Sequence, residues 1–280
     1  MTEKLRRTGL VRSTTPTAAL SCVEAIPSIA LLSNSQYSVM ITSAGAGYGT
    51  WRGLDVTRWR EDATRDCWGQ FCYVRDLTDN KRWSIGHQPL CTSADEYECE
   101  LSADRAEFRR RDGDLETRWA VCVAPHADCE VRALQLVNHG NRLRELELTS
   151  FAEICLNHRR ADQAHPAFAK LFLETQFDAR SGALLVRRRA RGASDDPVWA
   201  IHVSTPGTVA TEAIEYETDR VRFLGRGRTA ASPAALDSGA RLSQTTGPVL
   251  DPVFSLRRHM RLEPGSSAQV AFVTGAAETR

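Results

Sequence analysis

The chain has 280 residues, 42% of them hydrophobic and 25% charged, enough to close a sizeable core and too balanced for a disordered polypeptide. With 36 Lys and Arg against 35 Asp and Glu, a net charge of +1 supplies no field for nucleic acid or an anionic membrane. No apolar run approaches the roughly 20 residues that span a bilayer, and basic residues 1–12 lead into no apolar signal segment. A soluble, cytoplasmic protein is therefore expected, reaching the inner membrane only through a partner.

Residues 1–26 are polar and without period and read as a loose lead-in; residues 27–280 read as one domain. From Ile29 onward the period is two. Residues 43–51 carry Gly45, Gly47 and Gly49 before Trp51, but their spacing fits neither phosphate-loop pattern, so they are expected to let strands bend or approach one another. Residues 57–76 are the densest in chemistry. Arg58, Trp59, Arg60, Glu61, Asp62, Arg65, Asp66 and Trp68 precede an alternating run that ends in Arg75-Asp76. Two readings stay open. The charges neutralise one another in a surface network, or the indoles and planar ionic groups face a sugar, whose apolar ring face stacks on Trp and whose hydroxyls take bidentate partners.

Further along, Tyr97, Cys99 and Leu101 alternate with Glu98 and Glu100, and Asp112-Gly113-Asp114 joins two strands as a hairpin. Leu146 and Leu148 alternate with Glu145, Glu147 and Thr149, which predicts a strand with one wet face. Later strands are predicted at 170–175, 183–188, 198–204, 220–224, 254–263 and 268–274, separated by turn clusters at 138–141, 180–182, 205–207 and 263–265. Helical character is confined to 230–236, where Pro233 interrupts it. The pattern predicts an all-β fold, a large antiparallel sandwich.

The eight cysteines include no Cys-x-x-Cys pair and read as small apolar side chains in a reducing compartment, so neither metal nor cofactor is expected. The basic run 187–191 lacks interleaved aromatics and reads as a solvated strand end, with no nucleic-acid partner. Seven scattered histidines form no His-x-x-x-His pair.

The ordered motifs Leu31-Leu32-Ser33-Asn34, Tyr37-Ser38-Val39-Met40, 45–51, 57–76, 83–89, 145–153, 165–172, 222–227 and 247–252 resemble one family over residues 29–275. It is the β-sandwich domain of the phosphorylase-like module in cyclic β-1,2-glucan synthases, shared with cellobiose and chitobiose phosphorylases and once grouped as glycosyltransferase family thirty-six. The resemblance implies an antiparallel β-supersandwich like that of galactose mutarotases, and a parent reaction of inverting phosphorolysis or transfer of β-glucosides. In the family the acid is an Asp of an (α/α)6 barrel that follows the sandwich. The sequence ends at Arg280 after the last predicted strand, so the expectation is a split or truncated piece that is inactive alone, holds no catalytic residue and partners a separately encoded (α/α)6 barrel. The family sandwich also helps form a homodimer and lends loops to the rim of the sugar site. Arg58, Arg60, Asp62, Trp68, Trp83 and Gln88 are carried over as the residues facing a β-glucan or other glucoside. Four positions depart from the pattern: Ser35 and Gln36 for Gly-Arg, Cys67 for Asp and His87 for an aromatic. The alternative is a stand-alone mutarotase- or epimerase-like enzyme pairing a carboxylate with His87, His165 or His202.

Overall fold

The computed structural model describes residues 11–13, 27–62, 64–190, 192, 197–205 and 213–280, about 52% strand and 8% helix. In chain order the strands are β1 (Val11–Ser13), β2 (Ile29–Ser33), β3 (Tyr37–Thr42), β4 (Gly47–Trp51), β5 (Leu54–Thr57), β6 (Gln70–Asp76), β7 (Lys81–Ser84), β8 (Glu96–Leu101), β9 (Arg105–Asp112), β10 (Leu115–Val123), β11 (Cys129–Asn138) and β12 (Arg144–Asn157). Helices α1 (Arg159–Ala164) and α2 (Pro166–Lys170) follow, then β13 (Leu173–Asp178), β14 (Ala183–Arg188), β15 (Val198–Ser204), β16 (Glu215–Asp219), α3 (Arg220–Leu224), a 3₁₀ turn (Ala234–Leu236), β17 (Pro252–Leu262) and β18 (Ser267–Ala277). Of the lead-in 1–26, only β1 is described, paired with β8; the rest lies outside the described residues.

The strands form two antiparallel sheets. The first runs β1-β8-β9-β10-β11-β18-β15-β14-β13; the second runs β16-β17-β12-β5-β4-β3-β2, with β6 on β12 and β7 on β6. The 14-residue β12 organises the second sheet. Its length lets it pair β17 along one edge and, along the other, first β6 through Leu146–Ala152 and then β5 from Ile154. Inward-facing side chains of both sheets, among them Tyr37, Trp51, Trp83, Trp119, Leu146, Leu148 and Phe254, make the main core.

Charges are also buried between the sheets. Arg132 Nε donates to Glu130 Oε2 at 2.7 Å, its Nη1 donates to the Gln70 carbonyl at 2.7 Å, and Tyr37 Oη donates to Glu130 Oε1 at 3.2 Å. Gly49 makes room for this group, since a Cβ there would stand 2.7 Å from Tyr37 Oη and 2.9 Å from the Glu130 carboxylate. At Gly47, with φ of 155°, a Cβ would lie 2.0 Å from the Met40 carbonyl oxygen. Gly47 thus serves the close backbone approach expected of these glycines, while Gly49 makes room for side chains.

Five local expectations change. Residues 220–224 form helix α3, because Asp219 caps the Val221 amide at 2.8 Å and Gly225 closes the end at φ 84°. The strand predicted at 170–175 starts at Leu173, since Pro166 opens α2. The face of β12 expected to be wet is covered: Glu147 and Thr149 are buried beneath residues 235–240, to which Arg257 donates at the Ala235 and Ala240 carbonyls. Of the seven described cysteines only Cys72 and Cys155 are buried, while Cys67 and Cys91 are exposed. In the basic run, Arg187 and Arg188 approach the rings of Trp199 and Phe172 at 5.7 and 5.9 Å, and Arg188 is buried rather than solvated; Arg191 lies outside the described residues. No described helix is long and apolar enough to cross a membrane.

Candidate functional site

The loop from Arg58 to Gly69 leaves β5 and returns into β6, crossing one end of the second sheet's outer face. A second apolar cluster fills that face, with Phe71, Tyr73 and Phe151 from the strands packed against Phe223, Leu224, Leu236 and Leu242 from the covering segment. Phe151 stacks on Phe223 at 4.5 Å between ring centroids. Where loop and cover do not meet, a cleft of about 710 Å³ opens between Asp62, Thr64–Gly69, Gln88–Pro89, Cys91, Phe151, Glu153, Arg220, Leu224 and Thr229–Ala231.

Ion pairs fix its walls. Arg58, 3% exposed, donates through Nη1 to Glu153 Oε2 at 3.0 Å and through Nε and Nη2 to the Asp162 carboxylate at 3.3 Å each. Burial alone would lower the Arg58 pKa; the Asp162 and Glu153 carboxylates outweigh it and hold the guanidinium well above its usual value. Asp162 mirrors this: burial works to raise its pKa, but Arg58 and then Arg60 keep it below the ordinary carboxylate range. Glu153 also accepts from Arg220 Nε at 2.6 Å, and Asp251 pairs with Lys170 Nζ at 2.7 Å.

The open alternative for residues 57–76 thus resolves unevenly. Arg58 and Arg60 are neutralised, but by Glu153 and Asp162 rather than by the neighbouring Glu61, Asp62 or Asp66. Glu61 instead meets Arg159 at 3.5 Å and Gln163 at 2.9 Å. Asp62 is exposed, and the Thr64 hydroxyl and amide that it accepts at 2.7 and 2.9 Å lower its pKa. Asp66 differs, because burial in the cleft pushes its carboxyl above the ordinary range.

Arg58, Asp62, Trp68 and Gln88 line this cleft. Arg60 stands behind it, bound to Asp162 and donating to the Trp59 carbonyl at 3.0 Å. Trp83 does not belong with them. It is 3% exposed in the main core, paired opposite Val74, and its position in β7 turns the indole between the sheets, so it cannot face a ligand. Trp59 packs on Tyr48 at 5.4 Å. Sequence reasoning did not single out Glu153, Arg220, Asp162 or Asp251. Glu153 carried a signal, a lone carboxylate inside the apolar run Phe151-Ala152-Glu153-Ile154-Cys155.

The three candidate histidines do not converge. His202 is fully buried between Phe254 and Phe272, with Ser150 Oγ at 2.8 Å and Thr274 Oγ1 at 2.9 Å on its two ring nitrogens; burial lowers its pKa to about 3. His165 is exposed between α1 and α2. His87 is buried, with its pKa lowered by burial and then by Arg110. Among the described residues no group of three or more His, Cys, Asp or Glu is placed to hold a metal.

The supersandwich-domain model of glycosyl hydrolase 94 matches residues 21–280. The chain belongs to this family, as its supersandwich domain. It is 40% identical over 250 residues to the cyclic β-(1,2)-glucan synthase NdvB of Rhizobium meliloti, and 24% identical over 249 residues to an N,N′-diacetylchitobiose phosphorylase of Vibrio proteolyticus. These alignments cover 89% and 87% of the chain but only 9% and 30% of the relatives' lengths. A solved galactose mutarotase related enzyme from Lactobacillus acidophilus overlays with a TM-score of 0.40 at 12% identity, covering 89% of this chain and 97% of that one. The two antiparallel sheets are the sandwich that the strand pattern predicted, and the family match bears out the supersandwich that the resemblance implied.

Proposed function

We propose that this domain is a carbohydrate-binding scaffold of a cytoplasmic β-glucan phosphorylase or glycosyltransferase. In this reading the cleft beside Trp68 holds a β-glucan or related glucoside, and an (α/α)6 barrel, separately encoded, makes and breaks the glycosidic bond. One observation carries it: a cleft of about 710 Å³ joins an indole and an apolar floor (Phe71, Phe151, Leu224) to guanidinium and carboxylate groups already locked in ion pairs. Such a wall is pre-organised to bracket hydroxyls. The synthase and phosphorylase names of the relatives support the ligand class.

The barrel partner has its own support. Phe168, Leu171, Val221 and Leu250, each more than half exposed, lie in or next to the segments that Asp251 ties together, α2 through Lys170 and α3 through Arg220. An apolar patch rimmed by charges suits docking of another domain or a second copy. Calorimetric titration with a linear β-1,2-linked gluco-oligosaccharide tests the reading: the chain binds, Trp68→Ala weakens that binding by about tenfold, and neither phosphorolysis nor anomer interconversion exceeds the buffer rate. Turnover by the purified chain would overturn it.

A further inference from the structure

A second concavity, of about 900 Å³, lies on the opposite side of the molecule, over the outer face of the first sheet. Trp119 and Leu134 turn into the core, so their neighbours Arg118, Ala120, Ala133 and Gln135 turn outward into this groove. We propose that the groove is a second saccharide-binding site, taking a neutral oligosaccharide laid across the strands.

Register sets its shape. Glu107, Ala120, Ala133 and Ala271 stand opposite one another on β9, β10, β11 and β18, and Thr205 continues the row by donating its amide to the Ala271 carbonyl at 2.8 Å. At about 4.8 Å per strand the row spans roughly 19 Å, the length of a short oligosaccharide rather than a single sugar. The adjoining row, Glu98, Arg109, Arg118, Gln135 and Gln269, forms a polar wall of carboxylates, guanidinia and amides. Arg109 and Arg118 are held in place by one buried carboxylate, Glu116, at 3.1 and 2.6 Å.

The chemistry narrows the occupant. Both arginines are already paired, and Glu98 and Glu107 lie beside Arg109 and Arg105 at 3.9 and 3.3 Å, so the face offers no net field to a polyanion. None of the large exposed apolar side chains lines the groove, which therefore lacks the anchors that a protein partner needs. What remains is interleaved donors and acceptors above a flat floor, suited to the hydroxyls and ring faces of a neutral sugar chain.

Calorimetric titration of the 280-residue chain with a linear β-1,2-linked gluco-oligosaccharide tests this in the Trp68→Ala background, where the cleft is disabled. Binding persists there, Ala133→Trp weakens it by more than about tenfold, and Gln135→Ala weakens it several-fold without adding bulk. No binding to Trp68→Ala, or binding indifferent to both groove changes, overturns the proposal, as does preference for an extended peptide over the sugar. Loss of the cleft reading alone looks different: Trp68→Ala then leaves affinity unchanged while Ala133→Trp abolishes it.

Discussion

The two outer faces of the sandwich arise from the same alternation of inward and outward side chains, yet they end in opposite conditions. On the first sheet Arg118, Ala133 and Gln269 meet solvent. On the second, the outward side chains Arg75, Glu147, Thr149 and Arg257 are buried under the 3₁₀ turn and its flanking loop. The covered face must satisfy its charges internally. Arg257, fully buried, donates through Nε to Thr149 Oγ1 at 2.9 Å and stands 3.8 and 3.7 Å from Glu147 and Glu215. The lesson is that a strand's polar face becomes a binding groove or a structural network according to what lies over it.

The widest separation between the faces is energetic. Arg257→Ala leaves Glu147 buried with fewer partners and is expected to cost about 3–5 kcal/mol, against less than about 0.5 kcal/mol for Glu107→Ala on the open face. Urea unfolding of both variants decides it, and similar losses would erase the distinction. At the cleft the loss is intermediate. Arg58→Met leaves Asp162 with Arg60 and Glu153 with Arg220, so about 2 kcal/mol is expected in the same measurement.

The interior between the sheets supplies a pH test. Burial, then Arg132, lowers the His202 pKa from 6.5 to about 3. Below 6.5 the unfolded imidazole takes a proton that the folded one refuses. Stability is therefore full above that pH and falls as the pH drops, at about 1.4 kcal/mol per unit, until about pH 3. Unfolding free energies measured between pH 8 and 5 by urea titration should show this limb, and His202→Gln should flatten it. His87 shifts in the same direction, so a limb unchanged in that variant would assign the effect elsewhere. The smallest expected effect belongs to Arg118→Ala: Glu116 keeps Arg109 and His139, and thermal melting should change by less than about 0.5 kcal/mol.

Most of the strands were legible from local pattern. β14 and β15 run where alternation placed them, and β9 and β10 turn through Gly113 at φ 61°. Ser35, standing where the family pattern has Gly, takes the left-handed conformation at φ 78° that a glycine would adopt more easily. The cleft was half legible: residues 57–76 supply one wall, and Trp83 was misplaced because an indole near charged residues looks alike whether it faces solvent or core.

Period two determines which residues share a strand face, because neighbouring side chains must point to opposite sides. It does not determine what covers that face. Arg58 meets Asp162 across 104 residues, and Arg257 meets Thr149 across 108. Such pairs have no local signature, since they exist only once β12 has gathered β5, β6 and β17 along its two edges. By itself the sequence determined an antiparallel sandwich with a charged, aromatic loop. Only the tertiary structure decided that this loop borrows remote carboxylates to wall a cleft, and that the opposite sheet keeps its outer face open.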